Sequence, residues 1–265
     1  MARSSLKSIA KLLNTVTEDI PIEQQFLYEL TKSIELDEVK NARLPSKTYK
    51  PSGMNCIRAS YYQILGVEPS SDTKGYGMVG IAETGTDRHI RIQQAIDNMK
   101  NNGFECEYID VEQFIKQRKI DNLEIREKSV METKCYNKDL NMSFLTDGII
   151  KYKNKYFIFE FKTETANKWY GRMGVDPGHK HQAIAYSINF GIDQVLFVYE
   201  NRDNCQKKCY LFEVTSDMKQ DILGYISNCD NYISENKVPP KPAEANGKFC
   251  QYCGYRKVCD KDGCQ

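Results

Sequence analysis

Long hydrophobic runs are missing from this 265-residue chain, which excludes a transmembrane helix. Its first residues, MARSSLKSIAKLL, lack the apolar stretch and the small-residue cleavage site of a secretory signal peptide. The chain also has no large excess of either charge, because it contains 37 lysines and arginines and 36 aspartates and glutamates. Any basic surface must therefore be local. We therefore expect a cytoplasmic protein with no membrane partner, in a microbial cell or a virus-infected host.

What is present suits a globular protein with a sizeable core, since 40% of the residues are hydrophobic. Helical and strand-like patterns follow one another in the order helix, strands, helix, strands, helix. This order predicts an α/β or α+β fold with a central mixed β-sheet flanked by helices. We divide the chain into an N-terminal helical arm (1–50), a core (51–240) and a cysteine-rich C-terminal segment (241–265).

The strongest strand patterns cover 143–152 and 156–162, with a short KNK turn between them. A hairpin built from these strands sets Asp147 beside Glu160, with Lys162 one pleat further along. Two carboxylates and an amine suit a Mg²⁺ or Mn²⁺ site for phosphodiester hydrolysis, and the Phe161 carbonyl is a candidate further ligand. The alternative is a turn aspartate and a surface ion pair. It suits Glu160 poorly, because this residue stands in the apolar run YFIFEF and needs a partner there.

Other polar side chains are candidates for the same site. His89 lies on the apolar face of a predicted helix and therefore points inward, as a core residue or as a metal ligand. Gln182 and Tyr186 are four residues apart and share a helix face, from which they can contact a phosphate or guide DNA. Their spacing alone favours the alternative, a surface glutamine and a core tyrosine. Trp169 and Lys168 precede that helix and suit base stacking and backbone binding, although core packing of Trp169 remains equally open.

Ten cysteines are many for a chain without an export signal, and four of them form a candidate metal-binding set. Cys250, Cys253 and Cys259 have the spacing C-x2-C-x5-C. Cys56 is the natural fourth ligand, with Cys264 as its replacement. One C-x2-C pair with a distant partner fits zinc poorly, because zinc sites usually use two such pairs, so a structural 4Fe–4S cluster is favoured over zinc.

Taken together and in order, these motifs resemble the RecB-like branch of the PD-(D/E)XK nuclease superfamily. Within it, the chain is similar to the iron–sulfur exonucleases, which include the CRISPR-associated adaptation nucleases, the AddB nuclease domain and related phage enzymes. The sequence departs from the usual pattern at Thr146, where this branch has proline. The resemblance covers roughly 50–260 and is carried by Gly85-x-x-x-His89, Asp147-Gly148, Glu160-x-Lys162, Gln182-x-x-x-Tyr186 and the cysteines 56, 250, 253 and 259.

The resemblance implies a restriction-endonuclease-like core in which His89, Asp147 and Glu160 bind the metal and Lys162 is catalytic. It further implies a 4Fe–4S cluster beside that core. The expected activity is metal-dependent cleavage of DNA by an exonuclease, with or without single-strand endonuclease activity. Expected partners are single-stranded DNA or duplex ends, and proteins of recombination, repair or CRISPR adaptation. Two alternatives remain: a nuclease-fold DNA-binding or adaptor protein that does not cut, and a zinc-stapled interaction module.

Overall fold

A computed structural model describes residues 21–40, 46–69, 76–128, 132–242, 248–251 and 253–263. Its helices are α1 (Ile22–Lys40), α2 (Ile57–Ile64), α3 (Tyr76–Asn101), α4 (Val111–Arg118), α5 (Ala166–Tyr170), α6 (Pro177–Phe190), α7 (Ser216–Ser234), α8 (Lys248–Gln251) and α9 (Arg256–Lys261). Its strands are β1 (Cys106–Ile109), β2 (Leu123–Lys128), β3 (Thr133–Asn137), β4 (Met142–Thr146), β5 (Ile149–Tyr152), β6 (Lys155–Glu164), β7 (Gln194–Asn201) and β8 (Lys207–Glu213).

The chain divides into two compact units. The first comprises Met1–Arg43 and Asp72–Thr84, and its described part consists of α1 and the first turns of α3. The second comprises Leu44–Ser71 and Gly85–Gln265 and contains the strands given above. Of the helical arm predicted for 1–50, residues 1–20 and 41–45 lie outside the described residues, so the predicted domain boundaries stay a prediction.

The strands of the second unit form two β-sheets. The larger has the strand order β1-β5-β6-β7-β8, in which β6 and β7 are parallel and the other neighbours are antiparallel. The smaller has the order β2-β3-β4 and is antiparallel throughout. This mixed sheet with flanking helices confirms the predicted α+β, restriction-endonuclease-like fold class.

The alternating side chains of β6 face two different helical layers, as expected for a strand covered on both faces. Phe157, Phe159 and Phe161 point to one side and form an apolar cluster with residues of α3. Ile158 points to the other side and belongs to the larger core, which includes residues of α6 and α7. Strand β6 is therefore buried on both faces, and polar groups on it lie inside the protein.

Helix α6 begins and ends at residues suited to those positions. The Asp176 carboxylate accepts a hydrogen bond from the Gly178 amide (2.9 Å), Pro177 occupies the first turn, and Gly191 ends the helix at φ 64°. The position of α6 against β6 and β7 is therefore set by its own sequence and by the core residues that it buries. No helix in the described ranges has both the length and the apolar character required to cross a membrane.

Candidate active site

The strand predicted over 143–152 is interrupted at Asp147 and Gly148, where the chain leaves the three-stranded sheet and enters the five-stranded one. Gly148 has φ +138°, and a Cβ atom built there would lie 1.9 Å from the Tyr108 hydroxyl oxygen. Both the backbone angle and the close approach require glycine. Asp147 is consequently held at the junction of the two sheets, with its side chain buried.

Asp147, which lies between β4 and β5, is a neighbour of Glu160 on β6. Ile149 pairs with Ile158, and continuing this antiparallel register toward Asp147 sets it opposite Glu160. The Phe161 amide donates a hydrogen bond to Asp147 Oδ2 at 2.7 Å, which fixes the orientation of that carboxylate. The structure therefore brings Asp147 and Glu160, which the sequence predicts to be neighbours, to the same place.

The second carboxylate oxygen of Asp147 faces two further polar side chains. His89 Nδ1 on α3 lies 3.2 Å from Asp147 Oδ1. Thr133 pairs with Thr146 between β3 and β4, and this register brings Glu132 next to Asp147. The ligand atoms of His89, Glu132 and Asp147 all lie within 4.8 Å of one another. One imidazole and two carboxylates are a donor set that accepts a divalent transition metal such as Mn²⁺.

Glu132 was not anticipated from the sequence, where it stands in VMETKC with no motif around it. Its one usable signal is the pairing of β3 with β4, because the residue preceding β3 must then lie beside the residue following β4. Glu160, which the sequence assigned to the metal together with His89 and Asp147, does not belong to this three-residue group. Asp147 nevertheless acts on both glutamates, since burial raises the pKa values of Glu132 and Glu160 and the charge of Asp147 raises them further.

The Glu160 carboxylate is 1% exposed and is paired with Lys162, whose Nζ atom lies 2.5 Å from Oε1. Within the described ranges, neither Glu160 oxygen takes part in a hydrogen bond of normal angle, so this contact is an ion pair by distance rather than a well-aligned bond. Burial raises the pKa of Glu160, and Lys162 opposes that rise. A dehydrated carboxylate with unfilled lone pairs is the kind of group that a bound cation stabilises.

Lys162 is held in place by α6. Its ammonium group donates to Gln182 Oε1 at 3.1 Å, and Gln182 Nε2 in turn lies 2.6 Å from the Tyr186 hydroxyl. Tyr186 is buried and donates to the Leu145 carbonyl. Burial lowers the pKa of Lys162, but Glu160 and Asp147 outweigh it and the pKa is raised, so the side chain is a cation at neutral pH. In this arrangement Gln182 and Tyr186 position Lys162.

The stacking role predicted for Trp169 does not fit its position. Its side chain is 7% exposed, and its indole nitrogen donates to the Tyr199 carbonyl at 3.2 Å. Lys168 is more exposed and lies 3.0 Å from Asp176 and 3.5 Å from Glu164. Trp169 is therefore part of the core, the reading that the sequence had left equally open, whereas Lys168 remains accessible to a nucleic-acid backbone.

His179, in the first turn of α6, makes the free energy of unfolding depend on pH. Burial lowers its pKa from 6.5 to about 4, with a further contribution from Lys162. Between these two pH values the unfolded chain binds a proton at His179 that the folded protein excludes. The free energy of unfolding therefore falls as the pH is lowered from 6.5 toward 4.

We expect His179→Gln to lose less stability than the wild type over this pH window, as measured by urea denaturation. Because carboxylates titrate in the same range, the informative quantity is the difference between the two proteins. Comparing them at pH 7 removes the cost of the substitution itself. Curves that stay parallel from pH 7 to pH 4 contradict the prediction.

The four predicted cysteine ligands line one cavity, although Cys56 is almost two hundred residues from the other three in sequence. Cys56 precedes α2, Cys250 lies in α8, Cys253 follows α8, and Cys259 lies in α9. Burial raises the pKa values of the Cys253 and Cys259 thiols. Four cysteines that line one cavity are residues that could hold a thiolate-bound metal group. Cys264, the replacement ligand, lies outside the described residues.

Arg58 holds the two sides of this cavity together. Its side chain is 2% exposed, and its guanidinium donates to the carbonyls of Pro239 (3.2 Å), Cys259 (3.1 Å) and Gly263 (3.0 Å). It also donates to the Tyr62 hydroxyl at 3.1 Å. A buried guanidinium with its donors satisfied ties α2 to the C-terminal segment through hydrogen bonds alone.

No family model matches the chain, and no curated protein matches it. Among solved structures it is similar to SSO0001 (15% identity, TM-score 0.45), with 89% of this chain and 97% of that chain covered. It is also similar to LHK-Exo in complex with dAMP (13% identity, TM-score 0.42) and to the alkaline exonuclease LHK-Exo from Laribacter hongkongensis (12% identity, TM-score 0.40). In both cases 72% of this chain and 90% of that chain are covered. The fold described above rests on the strand order and register of this chain.

Proposed function

We propose that the protein is a metal-dependent deoxyribonuclease of the PD-(D/E)XK type that hydrolyses phosphodiester bonds as an exonuclease. The observation that carries the proposal is the buried pair of carboxylates, Asp147 and Glu160, with Lys162 in contact with Glu160. Carboxylates that share a buried site with one ammonium are expensive to maintain without a ligand. The order of the sequence motifs supports the same reading.

In this proposal His89, Asp147 and Glu160 hold the cation, as the motif resemblance implies, and Glu132 joins them. The Phe161 carbonyl stays a predicted further ligand. A divalent cation supplies positive charge to the scissile phosphate and lowers the pKa of a water molecule. Because imidazole is a better ligand for Mn²⁺ than for Mg²⁺, we expect Mn²⁺ to support activity at least as well as Mg²⁺.

The residues of the chain have distinct tasks in this reaction. Lys162 offers a fixed positive charge to the phosphate oxygens, where negative charge increases during the attack of water. Gln182 keeps the ammonium group from rotating away, and Tyr186 fixes Gln182 to β4. Asp147 is preorganised by the Phe161 amide. Single-stranded DNA or duplex ends are the proposed substrates, and recombination, repair or CRISPR adaptation is the proposed context, from the motif resemblance alone.

A 4Fe–4S cluster bound by Cys56, Cys250, Cys253 and Cys259 is the second part of the proposal. It is supported by the cavity that these four residues line and by their uneven spacing in the sequence. Such a cluster would cross-link α2 to the C-terminal segment, next to the hydrogen bonds of Arg58. Its role in this proposal is structural.

Digestion of end-labelled DNA tests the activity. We expect purified protein to degrade 5′- and 3′-labelled single- or double-stranded DNA with Mg²⁺ or Mn²⁺, and to stop when EDTA is added or when Asp147 is replaced by Asn. Early release of mononucleotides from one end identifies an exonuclease, whereas internal fragments identify an endonuclease. Protein that binds DNA ends and leaves them intact with either metal contradicts the proposal and favours a DNA-binding adaptor.

A further inference from the structure

Two large apolar side chains are exposed at the end of α5 and in the connection from α5 to α6. Tyr170 is 61% exposed and Met173 is 91% exposed, although the intervening Arg172 and the preceding Trp169 are buried. Within five residues the chain therefore alternates between groups packed in the protein and apolar groups in water. Large apolar side chains that stay exposed within a few residues of one another are characteristic of contact surfaces.

The backbone that carries these two side chains is tightly held. Lys208 donates to the carbonyls of Trp169 (2.8 Å) and Arg172 (3.1 Å), and the Tyr210 hydroxyl donates to the Arg172 carbonyl at 2.9 Å. Arg172 itself is bound to both oxygens of Glu164 and to Asp176. The backbone that exposes Tyr170 and Met173 is therefore fixed before any ligand binds, so a ligand does not have to order it.

This connection adjoins the candidate active site. Tyr199 pairs with Lys162 between β7 and β6, so both side chains lie on the same face of the sheet. The Tyr199 hydroxyl accepts a hydrogen bond from the Asp176 amide, at the end of the connection, and lies 3.1 Å from His179 Nδ1. Tyr199 therefore links the connection that follows α5 to the face of the sheet that carries Lys162.

We propose that Tyr170 and Met173 form a stacking surface for an unpaired nucleobase of the strand that is cut. The inference rests on the proposed function and assigns its substrate as single-stranded DNA or a frayed end. An aromatic ring accepts any base through its π-face, and a methionine thioether adapts to the base that lies against it. Lys168, two residues before Tyr170 and exposed, adds positive charge for the backbone of a nucleic-acid strand.

Binding of a fluorescent single-stranded oligonucleotide tests this inference. The measurement uses the full chain carrying Lys162→Ala, with Mg²⁺, so that the strand stays intact while anisotropy is recorded. In that background Tyr170→Ala is expected to weaken binding about tenfold through loss of stacking, whereas Tyr170→Phe, which keeps the ring, binds as before. Phe104→Ala, which removes an exposed aromatic ring beside the outer strand β1, is the matched control and leaves binding unchanged.

A second oligonucleotide with abasic positions separates stacking from a general loss of affinity. Tyr170→Ala should not weaken binding of the abasic strand, because this strand has no base on which the Tyr170 ring can stack. Equal binding by the alanine and phenylalanine variants overturns the inference, and so does an unchanged effect on the abasic strand. A wild-type protein that digests DNA while the variants bind alike refutes this inference and leaves the proposed nuclease standing. A protein that neither binds nor cuts DNA removes both.

Discussion

Replacing Lys162 by alanine is expected to lower the rate of DNA cleavage by about 10²- to 10³-fold, in line with the loss of one preorganised charge donor. The Lys162 ammonium group is a positive charge that the protein itself supplies to the site, and its contacts with Glu160 and Gln182 fix its position. Its charge is present before the substrate binds and requires no reorganisation during the reaction. The loss should appear in the cleavage step, as measured by single-turnover digestion of end-labelled DNA.

One control variant and a binding measurement make this test specific. Lys155→Ala removes an exposed lysine at the start of the same strand and should cleave at the wild-type rate. Mn²⁺ binding by Lys162→Ala should persist, because the proposed ligands remain. Cleavage by Lys162→Ala within twofold of the wild-type rate would refute the assignment.

The alanine variant also leaves the Glu160 carboxylate in the core without its cation, which costs stability. Lys162→Gln retains a hydrogen-bond donor toward the same neighbours and is the variant to use where Lys162→Ala unfolds. Since glutamine brings no charge, its activity should be as low as that of the alanine variant. Thermal denaturation of each variant separates a folded, inactive protein from an unfolded one.

The hairpin that joins Asp147 to Glu160 was predictable because its determinants are local. The KNK turn positions Lys153 and Asn154 at φ values of 46° and 63°, the conformation that a two-residue hairpin turn requires. With the turn fixed, the register of the two strands follows, and with it the pairing of the carboxylates. The apolar residues around Glu160 correctly indicated a buried strand.

Other parts of the site depend on pairings that no local pattern encodes. Glu132 reaches Asp147 through the β3–β4 register and through the passage of the chain between two sheets at Gly148, and the sequence identifies neither. Trp169 and Tyr170 are adjacent aromatic residues with the same neighbours in sequence. Lys208 and Tyr210, almost forty residues later, hold the backbone that buries one ring and exposes the other.

Replacing Cys253 by serine is expected to abolish iron binding. Four iron and four sulfide ions per chain are the content that a single 4Fe–4S cluster gives, and each of its irons needs one thiolate. Anaerobically purified wild-type protein should be brown, with iron and sulfide in that ratio, and the Cys253→Ser protein colourless. Cys209→Ser, which changes an exposed cysteine on β8, is the matched control and should keep its iron.

The stability of the two proteins tests the structural role of the cluster. By analogy with a covalent cross-link over a long loop, joining Cys56 to the C-terminal segment contributes on the order of 4–5 kcal/mol to the free energy of unfolding, as an upper figure. Because the hydrogen bonds of Arg58 still tie α2 to the same segment, Cys253→Ser should fold but unfold at lower urea concentration. Wild-type protein that is colourless and contains stoichiometric zinc contradicts the cluster, and the cavity is then a zinc site.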